Sequence, residues 1–188
     1  WWLPLVTIGA GLGLALPVAA FVASPRLEMP AWMVYPLIAL AGALQGLLLG
    51  MTQALALHRT VIAVPRAGWS LITMAGALVA WSLGMLPATL HALGAPLDLS
   101  SRRVVVATVA SAVLLVLVVP LAQWLLLRRM IAGAWLWILV EAVAIIVGFA
   151  AIWGVSLAVD TSRPLADIAP TLGLGAGAIA LAFALITG

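Results

Sequence analysis

The side chains most able to do chemistry are polar residues that interrupt long apolar stretches of the chain. They are Glu141, Gln53, Gln123 and Gln45. Glu141 is the only acid inside such a stretch, and an ionisable group in a hydrocarbon layer is a candidate functional residue. A neutral glutamic acid there could accept or relay a proton. The alternative is a structural residue, neutral or paired with Arg128 or Arg129, that holds helices together.

The spacing of these residues predicts a polar layer near one membrane face. Glu141 lies about 10 Å past the start of its predicted helix. Gln53 and Gln123 fall at nearly the same depth, and Gln45 lies deeper. A buried amide without a partner is costly, so we expect the glutamines to hydrogen-bond across helices.

Other reactive groups are sparse. The chain has no cysteine, which excludes disulfides and thiolate chemistry. His58 and His91 fall at opposite ends of the membrane, so they cannot bind the same metal ion or haem. Each could hold a pigment or haem separately, but a structural role for both histidines is the favoured interpretation. Serine and threonine have no neighbouring base. We therefore expect no catalytic residue, metal, cofactor or nucleic-acid partner.

The composition is that of a membrane protein. Of 188 residues, 66% are hydrophobic and 7% are charged, and the mean hydropathy is +1.32. Soluble domains are about 25% charged, and disordered chains need low hydrophobicity. The net charge of +3 comes from scattered arginines, which is typical of membrane loops rather than of nucleic-acid binders.

Six segments are long and apolar enough to cross a hydrocarbon core, which takes about 20 helical residues. They are Leu3–Val22, Tyr35–Leu57, Trp69–Leu90, Val104–Leu127, Gly133–Val159 and Ile168–Thr187. The connections between them are short and rich in helix breakers, for example Ser24-Pro25-Arg26. The sequence therefore predicts an all-α polytopic bundle of six transmembrane helices, with residues 1–188 forming a single integral membrane domain.

Basic and aromatic residues define the predicted membrane interfaces. The interface anchors are Arg59, Arg128, Arg129, Trp124 and Trp135, and we expect Trp69 and Trp137 in the same aromatic belt. Trp81 falls about 18 Å inside its helix, where we expect a packing or lipid-facing ring. The arginines divide evenly between the two faces, but most acids fall on the face opposite Arg59 and Arg128, which favours a cytoplasmic location for the Arg59 and Arg128 face and for both termini. Arginine without lysine hints at a bacterial inner-membrane protein from a G+C-rich genome.

An internal repeat organises the chain. Residues 53–59 and 123–129 both read Gln-x-Leu-x-Leu-basic-Arg, and each copy is followed by a tryptophan that opens the next helix. Two helices separate the copies, so both motifs emerge on the same face and the repeat is parallel. The repeat units span approximately 35–90 and 104–159. The last span parallels the second from Gly177 to Thr187 and could open a third copy.

With these residues the chain resembles a loose group of uncharacterised bacterial multi-pass membrane proteins that carry tandem Gln-Trp-Leu-x-Leu-Arg-Arg units. The resemblance covers most of the chain from Gly42 to Trp153. The first copy departs from it at Ala54 and His58, where the second has Trp124 and Arg128. The resemblance implies an organisation in the membrane and no particular activity.

Small residues recur every four or eight positions in two spans. They are Gly42, Gly46 and Gly50 in the second span and Gly76 and Gly84 in the third. This spacing lets helix backbones approach closely in lipid. Packing inside the bundle is the favoured interpretation, and a shear surface or an oligomer face is the alternative.

Three functional hypotheses fit these observations. The first is a non-catalytic accessory or structural subunit, with the lipid bilayer and other membrane subunits or further copies of itself as partners. The second is a small-molecule or proton-coupled transporter that uses Glu141. The third is a holder of a pigment, haem or quinone between helices.

Overall fold

The computed structural model describes residues 1–59, 64–158 and 163–188. These residues form six α-helices, all long and apolar enough to cross a membrane. The helices are α1 (Trp2–Arg26), α2 (Ala31–His58), α3 (Arg66–Ala92), α4 (Arg102–Leu127), α5 (Trp135–Ala158) and α6 (Leu165–Thr187). The prediction of an all-α, six-helix membrane bundle is confirmed.

The helix ends differ from the predicted spans by a few residues. Helix α1 continues through Ser24 and Pro25, where the sequence predicts a connection. The helix can continue because the proline removes only one backbone donor, and the Leu27 N–H still donates to the Ala23 carbonyl at 3.0 Å. Helix α5 begins two residues later than predicted. Gly133 has a φ of 78°, in the left-handed region that favours glycine, and so belongs to the preceding turn. The predicted end of the fifth span at Val159 lies outside the described residues.

The six helices form a closed ring. Each helix packs against its neighbours in the chain, and α1 packs against α6 to complete the circle. The contact between α2 and α3 is the most extensive, and that between α4 and α5 is the least extensive. This arrangement leaves a space in the middle that all six helices line.

Glycines permit the close approach of α2, α3 and α4. A Cβ atom at Gly46 would lie 2.7 Å from the Thr73 carbonyl oxygen, and one at Gly50 would lie 2.8 Å from the Ser70 Cα. Gly42 packs against the Trp81 ring, and Gly76 packs against Val119 of α4. Gly84 is exposed, although a Cβ there would lie 3.2 Å from a Leu115 methyl group. The stripe on α2 therefore lies against α3, inside the bundle.

The α3–α4 loop is held by a local hydrogen-bonded turn. Asp98 Oδ1 accepts the Ser100 hydroxyl at 2.6 Å and the Ser100 backbone N–H at 3.0 Å. Because both bonds favour the charged carboxylate, they lower the pKa of Asp98 below its usual 3.8.

Candidate functional site

The two motif glutamines meet in the interior of the ring. Gln53 and Gln123 are both fully buried, and Gln123 Nε2 donates to Gln53 Oε1 at 3.0 Å. The same amide nitrogen donates to Thr73 Oγ1 at 2.9 Å. Since a direct bond requires both motifs at the same end of the bundle, the two-helix repeat is parallel, as predicted.

Each glutamine also accepts a bond from a tryptophan in the first turn of the next helix, and in the second copy this is Trp137 rather than Trp135, which opens the helix. Trp69 Nε1 donates to Gln53 Oε1 at 3.2 Å, and Trp137 Nε1 donates to Gln123 Oε1 at 2.7 Å. The two rings meet edge to face, with centroids 5.7 Å apart. The assignment of Trp69 and Trp137 to an aromatic belt is therefore wrong: Trp69 is 0% exposed, and Trp137 points inward to satisfy a buried amide.

A third contact of this kind joins the last helix to the first. Trp2 Nε1, at the start of α1, donates to Thr187 Oγ1 at the end of α6 at 3.3 Å. The Trp2 ring packs edge to face on Trp137, with centroids 5.9 Å apart. The pairs α2/α3, α4/α5 and α6/α1 are thus each joined by a bond from an indole N–H to a polar side chain, which is a glutamine in the first two pairs and Thr187 in the third.

Glu141 joins this cluster but is not satisfied by it. The side chain is 1% exposed, and its Oε1 accepts a long bond of 3.5 Å from Gln53 Nε2. Its Oε2 has no hydrogen-bond partner among the described residues. The expected alternative of pairing with arginine does not occur there, because Arg128 stacks on Trp124 and Arg129 is exposed. One buried carboxyl oxygen therefore has no hydrogen-bond partner within the described part of the chain.

A central cavity of about 130 Å³ lies beside Glu141. Residues from all six helices line it, and its polar members are Glu141, Thr73, Gln45 and Trp81. Gln45 is separate from the polar cluster, since its Oε1 accepts the Trp81 indole N–H at 2.9 Å. The structure thus brings Glu141, Gln53 and Gln123 together and places Gln45 further along the cavity wall.

A second cavity, of about 440 Å³, lies on the other side of Trp81. Apart from the Trp81 indole, the described side chains that line it are apolar, and α1, α3, α5 and α6 supply them. Both cavities share Leu14, Trp81, Ile152 and Ile179 as wall residues. Trp81 is half-buried and packs within the bundle, so it is part of the wall of both the small cavity that Glu141 lines and the larger apolar one.

The predicted interface anchors lie at helix ends. The Arg59 guanidinium lies 4.5 Å from the Trp1 ring centroid, and the Arg128 guanidinium lies 5.0 Å from that of Trp124. Trp135, at the start of α5, is 56% exposed. These positions suit contact with lipid headgroups.

The described part of the chain contains no group of three or more histidine, cysteine or acidic side chains that could hold a metal ion. His58 and His91 are both exposed, at the ends of α2 and α3.

Sequence reasoning missed Trp69, Trp137 and Thr73 as members of the site. A signal was present, because a tryptophan follows each motif glutamine after 16 or 14 residues, and an indole N–H complements a buried amide oxygen. Thr73 lies one helical turn after Trp69, on the same face of α3, and its hydroxyl bonds the Trp69 carbonyl at 2.8 Å.

Comparison of the chain with protein-family models, with curated proteins and with solved structures finds no match.

Proposed function

We propose that this chain is a non-catalytic integral membrane protein that binds a small molecule inside its six-helix ring, with Glu141 as the anchoring group. The observation that carries the proposal is the Glu141 Oε2 atom, which is buried and has no partner among the described residues, on a residue that lines the cavity. Buried polar groups are nearly always satisfied, so an unsatisfied one on a cavity-lining residue supports a bound group.

The cavity dimensions support this proposal. An apolar cavity of about 150 Å³ holds a benzene-sized molecule, and the space beside Glu141 has a similar volume of about 130 Å³. Ligand sites typically measure about 300–1,000 Å³, a range that includes the second cavity of about 440 Å³. A small polar end group fits the first space and an apolar body fits the second.

Such a site would serve either a transporter or a holder of a cofactor. A transporter also needs access from both membrane faces, and the Gln53–Gln123 cluster fills the ring at one end. Stable binding therefore has better support than transport. A role as an accessory subunit is compatible with both stable binding and transport, and it stays a separate prediction. Copurification of partner chains in mild detergent would test it.

We further propose a bacterial inner-membrane location with the Arg59 and Arg128 end in the cytoplasm. The support is the charge distribution: arginines occur at both ends, whereas Glu28, Asp98 and Asp167 lie at the end opposite Arg59.

The binding proposal is tested by the small molecules that copurify with the chain. We expect native mass spectrometry of the purified protein in lipid nanodiscs to detect a bound small molecule. The bound amount should decrease about tenfold or more in the Glu141→Gln and Gly148→Leu variants. Gly148→Leu adds a side chain at the cavity wall, where a Cβ atom would meet only Ile179, at 3.8 Å.

Glu28→Gln is the matched control, since it makes the same chemical change at an exposed residue between α1 and α2. Equal bound material in all four proteins would contradict the proposal. Absorption at wavelengths longer than those of the tryptophan band would identify a pigment, haem or quinone.

A further inference from the structure

We propose that the ligand is a lipophilic cation: a small ammonium group that binds Glu141, joined to an apolar body that occupies the cavity beyond Trp81. This inference rests on the proposed function and adds the chemical class of the ligand. It follows from the charge, the shape and the aromatic character of the two cavities.

Glu141 has no charged neighbour in the wall of its cavity among the residues that the structure describes. That wall contains no arginine, histidine or second acid from any of the six helices, and the chain has no lysine. The polar group bonded to the carboxyl, Gln53, is an amide that is also bonded to Gln123 within the cluster. A carboxylate there can be neutralised only by a proton or by a cation that enters the cavity.

The two cavities differ in size, which limits the size of each end of the ligand. The space of about 130 Å³ beside Glu141 admits a small head group and excludes a bulky one. The space of about 440 Å³ beyond Trp81 is apolar and suits an alkyl or aromatic body. A ligand that spans both needs its charge at one end.

The aromatic rings offer a second source of attraction. Trp81, Phe149 and Phe183 all line the cavity that contains Glu141. A cation within about 6 Å of a ring centroid is attracted by the ring quadrupole, and the attraction increases when water is excluded. A neutral alcohol of the same length gains neither the ion pair nor this contact.

Binding then exchanges one positive charge for another. The carboxylic acid of Glu141 loses its proton to the solvent, and the ammonium group of the ligand takes its place as a hydrogen-bonded ion pair at Oε2. No covalent bond to the ligand forms or breaks. One proton is released for each cation bound, and affinity increases with pH while the ligand stays charged.

The test compares the binding of n-decylamine, which is charged at pH 7 as lysine is, with the binding of 1-decanol to the protein in phosphatidylcholine nanodiscs. Binding to empty nanodiscs is subtracted from both. We expect the amine to bind at least about tenfold more tightly than the alcohol and to release about one proton per molecule bound. Glu141→Gln should abolish both the preference and the proton release. Glu28→Gln should change neither, and Gly148→Leu should weaken the binding of both probes.

Equal affinity for amine and alcohol, or amine binding without proton release by the unmodified protein, would overturn the cation assignment. Proton release is measured on the natural sequence, so the result does not depend on the folding of any variant. Failure of both probes would also overturn the assignment, whereas the copurification measurement decides the proposed function independently.

Discussion

Gln123 makes three side-chain hydrogen bonds within the buried cluster, as many as Gln53. Its amide nitrogen donates to Gln53 and Thr73, and its carbonyl oxygen accepts from Trp137. Its removal leaves the Trp137 N–H without an acceptor and removes a donor from both Gln53 and Thr73. The energetic consequence should exceed that of losing one intramembrane hydrogen bond, which averages about 0.6 kcal/mol.

We therefore predict that Gln123→Leu lowers the free energy of unfolding by about 1–3 kcal/mol. Gln45→Leu is the matched control, because Gln45 has a single described bond, to Trp81, and its loss should cost about 0.6 kcal/mol. Reversible unfolding in mixed micelles, followed by circular dichroism, measures both values. Equal losses for the two variants would show that the cluster does not act as a network.

At the level of elements, the α2–α3 pair depends on the absence of side chains on one face of α2. At Gly50 a Cβ atom would come within 2.8 Å of the Ser70 Cα. Because the obstacle is backbone, α3 as a whole would have to move. Gly177, on α6, has no atom within 4 Å of its Cβ position. The same residue type therefore has a packing role in one helix that it lacks in the other.

Gly50→Ala and Gly177→Ala should consequently have effects of opposite sign. We expect the first to destabilise the protein by about 1–3 kcal/mol through overpacking. We expect the second to stabilise it by as much as about 1 kcal/mol, because alanine is the better helix former. Thermal unfolding in nanodiscs compares the two, and a neutral Gly50→Ala variant would refute the tight contact.

For the whole molecule, the six-helix ring places consecutive connections at alternate ends. Met130, after α4, is exposed at the end that carries Arg59 and Arg128, and Leu99, in the α3–α4 loop, is exposed at the other end. The distribution of acids favours the first end as cytoplasmic.

Single cysteines test this orientation directly, because the natural chain has none. We predict that a membrane-impermeant maleimide labels Leu99→Cys in intact cells and labels Met130→Cys only after the membrane is opened. Labelling of Met130→Cys from outside would reverse the orientation and leave the fold unchanged.

The amino-acid sequence by itself determined the number of helices and the common location of the glutamine motifs. The length of an apolar run decides whether it can cross the hydrocarbon layer, and an even number of intervening crossings returns the chain to the same face. Both properties depend on counting residues along the chain, so they could be derived without knowledge of packing.

Only the tertiary structure decided which side chains face the interior. The helices are apolar on nearly every side, and lipid is as apolar as a protein core, so hydrophobicity does not specify how each helix rotates about its axis. The inward positions of Trp69 and Trp137, the closure of α1 on α6 and the cavity beside Glu141 all depend on that rotation. It is set by glycine contacts and buried hydrogen bonds between residues that are far apart in the sequence.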